Sequence, residues 1–548
     1  MLQMVTRIVA AWYQLGQDDL SKFDRKGPNF SSWTNDRLGT KVPGSKTEQD
    51  VVEVNSYVNV QADHKDVARA VAREGIVLLK NEDLLPIDRM GFTDAKKRGV
   101  RTRHEGKLKI GVFGEDAGPG KGPNKCVDRA CNQGTLASGW GSGAVDFPYL
   151  VPPVEALRDG FNMTKVQWSE YLTNTPNFKS DPMILDQDVC IVFGNADAGE
   201  GFVRWENVAG DRPDLFLQKG ADDLIVKVAE GCGGGAGEVL VVIHAVGPVI
   251  MEKWIDLPNI KAVLLANLPG QESGNALADI IFGDENPSGH LPYTVGKSLD
   301  DYGAGGQIMY TPNGVVPQQD FTEGLYIDYR YFDKNGIEPR FEFGYGLSYT
   351  TFEFSGLQVS PLKSKSTLPT NRTQSGATPP EYPSDIPDSE EALWPDGFRR
   401  FDKYIYPYID TMDEIIDEKY PYPEGYNQQQ PLSPAGGEEG GNPDLWETYV
   451  QVKVDVTNTG AKAGKAVPQL YLGYPQGSKK TDFPVKVLRG FDKVYLERNE
   501  SKTVQFNLTR RDLSYWDVES QNWSMMMTGL YTFMVGQSSR DLTEFGTW

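Results

Sequence analysis

VLVVIHA, residues 239–245, holds six apolar residues in seven, four of them β-branched. Successive side chains of a strand point to opposite faces, so a strand of this composition is buried on both. Three further runs of this kind occur at 108–114, 189–194 and 262–266, with helical patterns at 154–159, 214–230 and 273–282 between or after them. Apolar strands alternating with helices predict an α/β domain over 61–300, a largely parallel sheet with helices on both faces. Ligands of such sheets meet loops at the carboxyl ends of the strands, so a site is expected there. DVARAVAREGIVLLKN, residues 66–81, begins as an amphipathic helix and passes into an apolar run at 76–79.

The flanks read differently. Val5, Ile8, Val9, Trp12 and Leu15 recur at helical spacing ahead of Gly16, a plausible cap, while Arg7 makes this a poor signal-peptide core. Residues 1–16 are therefore read as an amphipathic helix and 17–60 as a linker. Beyond a Tyr- and Gly-rich connector at 301–345, Val450, Val452, Val454 and Val456 alternate with Gln451, Lys453 and Asp455. That is the period of a half-buried strand. Short runs at 467–472, 485–488, 503–508 and 531–535 extend it into an antiparallel β-sandwich over 346–548, with a first strand around 351–357. An insertion at about 362–446, rich in Pro, Ser, Asp and Tyr, shows no periodicity. Its stretch FDKYIYPYID, 401–410, is aromatic enough to pack on a neighbouring surface.

Composition narrows the partners. The 548 residues carry a net charge of −21, which repels nucleic acid and anionic membranes, and no apolar run is long enough to span a bilayer. Four cysteines are present. Cys126 and Cys131 flank the short loop CVDRAC and read as a local disulfide, whereas Cys190 and Cys232 read as unpaired thiols. Asn29, Asn162, Asn371, Asn499, Asn507 and Asn522 each open a glycosylation tripeptide, which agrees with a secreted, extracellular protein.

The loop after the second apolar run, NADAGEGFVRWENVAGDR at 195–212, holds Asp197, Glu200, Glu206 and Asp211 among glycines and aromatics. Desolvation by an aromatic neighbour such as Phe202 or Trp205 keeps a carboxyl protonated, which suits an acid that protonates a sugar leaving group. A solvated acidic loop would look the same. His244 is read as stabilising its loop. With four His in the chain and no cluster at ligand spacing, neither a metal nor another cofactor is expected. PGQESGNALADIIFG, 269–283, reads as a strand-to-helix turn with Ser273 at the helix start, without the Lys of a P-loop. The sequence holds no G-x-S-x-G.

Ordered motifs run through the chain: AREGIVLLKNEDLLPI (72–87), CVDRAC, GTLASGWGSGAVDFPYLVPP (134–153), NADAGEGF (195–202), GDR (210–212), HAVGPV (244–249), LPGQESGNALAD (268–279), EGLYIDYRYFD (323–333), FEFGYGLSYTTF (341–352) and RRDLSYWDV (510–518). In these the chain resembles glycoside hydrolase family 3, its secreted fungal β-glucosidase branch. The resemblance implies a (β/α)8 barrel, then an α/β sandwich, then a fibronectin type III-like β-sandwich. It places the family's acid/base glutamate at Glu200 and an aglycone-lining aromatic at Phe202, with Glu206 an unmarked runner-up.

The family's nucleophilic aspartate lies on the barrel in a Ser-Asp-Trp-type motif, which this sequence lacks. Residues 1–16 match the helix that closes the barrel, so the chain is expected to begin where the barrel ends. It would then supply the acid/base without the nucleophile, with the barrel as intramolecular partner. The implied activity is retaining hydrolysis of terminal non-reducing β-D-glucosyl residues from cellobiose and from aryl and oligo β-glucosides, in cellulose and polysaccharide degradation. The rivals are a non-catalytic carbohydrate-binding or adhesion protein and a β-xylosidase of the same family.

Overall fold

The structure, a computed structural model, describes residues 2–16, 18, 19, 21, 37–40, 51–53, 61–90, 107–120, 132–145, 147–175, 182–306, 313–370, 441–476 and 482–548. The chain divides into two units, Met1–Ala62 with Asn371–Gly437, and Asp63–Thr370 with Glu438–Trp548. In the first, the helix Leu2–Gln14 forms where the apolar spacing predicts it, with Ile8, Trp12 and Leu15 exposed. A short antiparallel pair, β1 (Leu38–Thr40) and β2 (Val51–Glu53), falls within the stretch read as a linker. Residues 401–410 lie outside the described residues.

The second unit is built on a six-stranded sheet. In chain order come β3 (Val77–Asn81), β4 (Leu108–Phe113), β5 (Val166–Tyr171) and β6 (Val189–Ala196). A two-residue hairpin, β7 (Arg204–Trp205) and β8 (Val208–Ala209), interrupts before β9 (Glu238–Ala245) and β10 (Ile260–Leu265). The sheet order is β3-β10-β9-β6-β4-β5, parallel throughout except for β3, which pairs antiparallel with β10. Doubly buried β9 explains the opening motif. Leu240 and Val242 join one core with Ile191, Phe193 and the helices Pro153–Gly160 and Ser273–Phe282. Val239, Val241 and Ile243 join the other with Val192, Trp254 and the helix Ala221–Gly231. Strand β5 escapes sequence reading because it is a sheet edge: in VQWSEY only Val166 is buried.

One expectation is corrected. Cys190 and Cys232 form a disulfide, joining β6 to the turn after the helix Ala221–Gly231 across 42 residues. Each sits in an apolar setting that resembles that of a packed thiol, and only the helix folding back over β6 brings them together.

The all-β part follows. Strands β11 (Phe352–Pro361), β12 (Thr448–Asn458), β13 (Gly464–Ala466), β14 (Gln469–Gly473), β15 (Val487–Phe491), β16 (Val494–Leu496), β17 (Ser501–Thr509), β18 (Ser514–Asp517), β19 (Asn522–Met525), β20 (Thr532–Gly536) and β21 (Leu542–Thr547) pair antiparallel. The main sheets are β11-β12-β17 and β15-β14-β20-β21, with Val450, Val452, Val454 and Val456 in the core beside Leu470, Phe533 and Val535. Pro361 ends β11 opposite Val450 of β12, so the chain leaves for its long insertion and returns at neighbouring positions. Lys465 Nζ ties this part to the α/β part through Glu74 (2.6 Å) and Glu285 (3.2 Å). Among the described residues no helix is long and apolar enough to cross a membrane.

Candidate active site

Strand β6 ends at Ala196, and the acidic loop leaves from the carboxyl edge of the sheet. It folds on itself: Gly199 N–H donates to Gly210 O (2.7 Å), Gly210 N–H to Val203 O (2.8 Å), and Val203 N–H to Glu200 O (2.8 Å). A side chain at 210 would lie 2.1 Å from the Glu200 carbonyl oxygen, so this closure needs glycine there. Beneath it Trp140, Val203 and Val208 form a small apolar cluster with Trp205 against it.

The four loop carboxylates part company in this fold. Asp197 is 1% exposed. Glu206 and Asp211 are exposed. Glu200 is half-buried, and a second loop holds it. The N–H of Ser142 donates to Glu200 Oε2 at 2.9 Å, and the Ser142 hydroxyl donates to Oε1. Ser142 belongs to a one-turn 3-10 helix, Gly141–Gly143, after the buried Trp140. A serine N–H and hydroxyl on the two carboxylate oxygens fix the direction in which the group faces. Phe202, two residues on, is 80% exposed and offers an open aromatic face.

Gly141 carries the geometry. Its φ is +64°, and a Cβ there would fall 1.9 Å from Glu200 Oε2. Gly141→Ala is expected to drive the carboxylate off Ser142 and to cost about 1–2 kcal/mol from the left-handed backbone alone. Gly143→Ala is the control, since its Cβ would meet nothing within 4 Å. Thermal denaturation should show a lowered midpoint for the first and none for the second.

Polar contacts hold the second loop in place. His244, at the end of β9, is fully buried with Nδ1 2.6 Å from Asp116 Oδ2, and Asp116 Oδ1 accepts the Leu136 N–H at 2.8 Å. Ser273 Oγ lies 3.3 Å from Thr135 Oγ1, so the helix start expected there also braces this loop. Among the described residues no cluster of His, Cys, Asp or Glu could hold a metal ion.

Of the remaining sequence-predicted residues, Asn499 and Asn507 are exposed, Asn162 is half-buried and Asn522 is 7% exposed. Cys126, Cys131, Asn29 and Asn371 lie outside the described residues. Sequence reasoning misses Ser142. The only signal was its place in the Gly-Ser-Gly of GTLASGWGSGAVDF, 58 positions before its partner.

Residues 76–349 match the family model described as Glycosyl hydrolase family 3 C-terminal domain, and residues 466–539 match that of the Fibronectin type III-like domain. The chain is 51% identical over 554 residues to a protein of Aspergillus fumigatus named Probable beta-glucosidase E, covering 100% of this chain and 52% of that protein. It is 45% identical to Probable beta-glucosidase F of Emericella nidulans, over 96% of this chain and 58% of that one. Among solved structures, Chaetomium thermophilum beta-glucosidase superposes with a TM-score of 0.80 at 39% identity, over 95% of this chain and 61% of its own. A glycoside hydrolase family 3 beta-glucosidase of Neurospora crassa does so with 0.80 at 37% identity, over 96% and 61%. The chain spans about half the length of the curated relatives it matches.

Proposed function

The chain belongs to glycoside hydrolase family 3, and on that premise we propose that it is the acid/base-bearing part of a secreted β-glucosidase. The observation that carries the reading is that Glu200, alone of the four loop carboxylates, is half-buried with both oxygens held by Ser142. Its substrates are terminal non-reducing β-D-glucosyl residues of cellobiose and of aryl and oligo β-glucosides, released in cellulose and polysaccharide breakdown. Phe202 stacks on the aglycone.

The reaction is a retaining double displacement. Such enzymes set two carboxyl groups about 5–5.5 Å apart, one attacking C1 and one protonating the departing oxygen. Glu200 gives its proton to the glycosidic oxygen as the C1–O bond breaks. It then takes a proton from the water that releases glucose from the glycosyl-enzyme. The attacking aspartate is assigned to a barrel outside this chain, acting as its intramolecular partner, because the sequence holds no Ser-Asp-Trp.

The test compares this chain with a chimaera in which it follows the N-terminal half of the A. fumigatus relative. The chimaera should turn over an aryl β-glucoside and the chain alone should not. Near-normal turnover by the chain alone would overturn the assignment of the nucleophile elsewhere. A folded chimaera that binds saccharide without hydrolysis would favour a non-catalytic binding role, and faster turnover of aryl β-xylosides would favour a β-xylosidase.

A further inference from the structure

Asp197 lies three residues before Glu200. It is 1% exposed; Oδ1 accepts the Ala198 N–H at 2.8 Å, and buried Oδ2 has no hydrogen-bond partner among the described residues. One side chain grips its backbone: Asp197 N–H donates to Gln218 Oε1 at 2.9 Å, and Gln218 Nε2 donates to the Asp197 carbonyl at 2.8 Å. The residue is thereby fixed from both sides. The peptide it caps comes next, and the Ala198 carbonyl accepts the Trp140 N–H at 3.3 Å. Gly199 packs on the same residue, for a Cβ there would lie 2.9 Å from Trp140 Cβ. Trp140 opens the turn whose Ser142 holds Glu200. Hydrogen bonds thus join the Asp197 carboxyl to the seat of Glu200.

Polar side chains gather around Asp197. Asn132, Thr135, Ser138 and Asp197 line one small cavity. Asn132 Nδ2, Trp140 Nε1, Asn195 Oδ1 and His244 Nε2 are likewise buried without a partner among the described residues. Asn195 and His244 are paired in register on β6 and β9. Among the described residues, the ionisable groups on the neighbouring elements are these. Asp116 and Glu115 come from the turn after β4, and His244, bonded to Asp116, comes from β9. Lys219, ahead of the helix Ala221–Gly231, contacts Glu115 Oε1 at 3.1 Å and the Asn132 carbonyl. None of them makes a direct ion pair with Asp197.

We propose that Asp197 is a positioning residue for Glu200: protonated, it seats the 197–200 turn against Trp140, and ionised, it unseats that turn and the carboxylate with it. A buried carboxylate without a counter-charge is costly, and the charge is relieved by turning toward water, which breaks the bond to Ala198. Burial pushes this carboxyl up to about 7 against the pull of the Ala198 N–H and Lys219, and the charge of Asp116 adds to the push. A folded-state value above the unfolded one means that the folded chain binds the proton more tightly. This contribution to stability is present below pH ~4 and is lost as the pH rises toward about 7.

The test uses the full chain with 15N-labelled tryptophan, the Trp140 indole resonance being assigned by Trp140→Phe. In the wild type it should move with one midpoint near pH 7. In Asp197→Asn, which keeps the shape of the neutral acid, it should stay at its low-pH position at every pH. In Asp197→Ala it should be displaced throughout. The same midpoint in Asp197→Asn would overturn the proposal by pointing to another group, and so would a wild-type resonance that ignores pH. The role given to Glu200 rests on the reading above, but this resonance does not depend on hydrolysis. If the chimaera is active, Asp197→Asn should shift the alkaline limb of kcat/KM upward. An inactive chimaera would count against that reading and leave the resonance to judge the positioning.

Discussion

Glu200→Gln in the chimaeric enzyme is expected to lower kcat/KM for cellobiose by about 10²–10⁴-fold, the range that one positioned proton donor contributes. That is roughly 3–5 kcal/mol of transition-state stabilisation. The size depends on the leaving group, and the dependence is the informative part. A sugar hydroxyl leaves only if protonated, so its first step should bear the whole loss. A dinitrophenolate leaves unaided, so its first step should be nearly untouched. Without a base to deprotonate water the second step then limits turnover, and both kcat and KM should fall for the aryl substrate. Glu206→Gln and Asp211→Asn, on exposed parts of the loop, should stay within a few-fold of wild type. A comparable loss in Glu206→Gln would move the acid to that position.

Arg510→Met is expected to destabilise the all-β part by about 3–5 kcal/mol, read from urea denaturation. Arg510 is fully buried, and its guanidinium donates to Ser366 Oγ at 2.7 Å, to the Ser366 carbonyl at 2.8 Å and to the Tyr449 hydroxyl at 3.2 Å. Its Nε lies 3.9 Å from Asp444, itself 8% exposed, whose carboxylate also accepts the Thr370 N–H at 2.8 Å. These contacts join the segment after β11 to the turn before β12, where the chain leaves for its insertion and returns. Removing the cation strands a buried carboxylate beside it. Replacing both partners, as in Arg510→Met with Asp444→Leu, removes both charges and should recover part of the loss. A single-variant loss below 1 kcal/mol would show that the charge is not confined as its burial implies.

Much of this was legible where one physical constraint acts locally. β9 and its parallel neighbours betray themselves because both faces are buried, and β12 because only alternate residues are. The first sandwich strand, expected around 351–357, runs Phe352–Pro361. β5 was hidden because an edge strand buries so little. The Cys190–Cys232 bond was hidden because helix packing, and no local pattern, brings the two together.

The candidate site divides in the same way. A loop dense in carboxylates is visible in sequence, but spacing cannot rank Asp197, Glu200, Glu206 and Asp211, since each is an acid among glycines. Family resemblance favoured Glu200. In the fold Glu200 is half-buried and held by Ser142, whereas Asp197 is fully buried and Glu206 and Asp211 are exposed. Ser142 was beyond sequence reasoning because its role exists only once two loops 58 residues apart have met.

The role of Glu200 is tested most directly by azide rescue of Glu200→Ala in the chimaera, with 2,4-dinitrophenyl β-glucoside as substrate. Azide needs no base, so it should attack the glycosyl-enzyme from the face that water uses, restore turnover and yield β-glucosyl azide. Turnover that azide leaves unchanged, with no glucosyl azide formed, would contradict Glu200 as the acid/base.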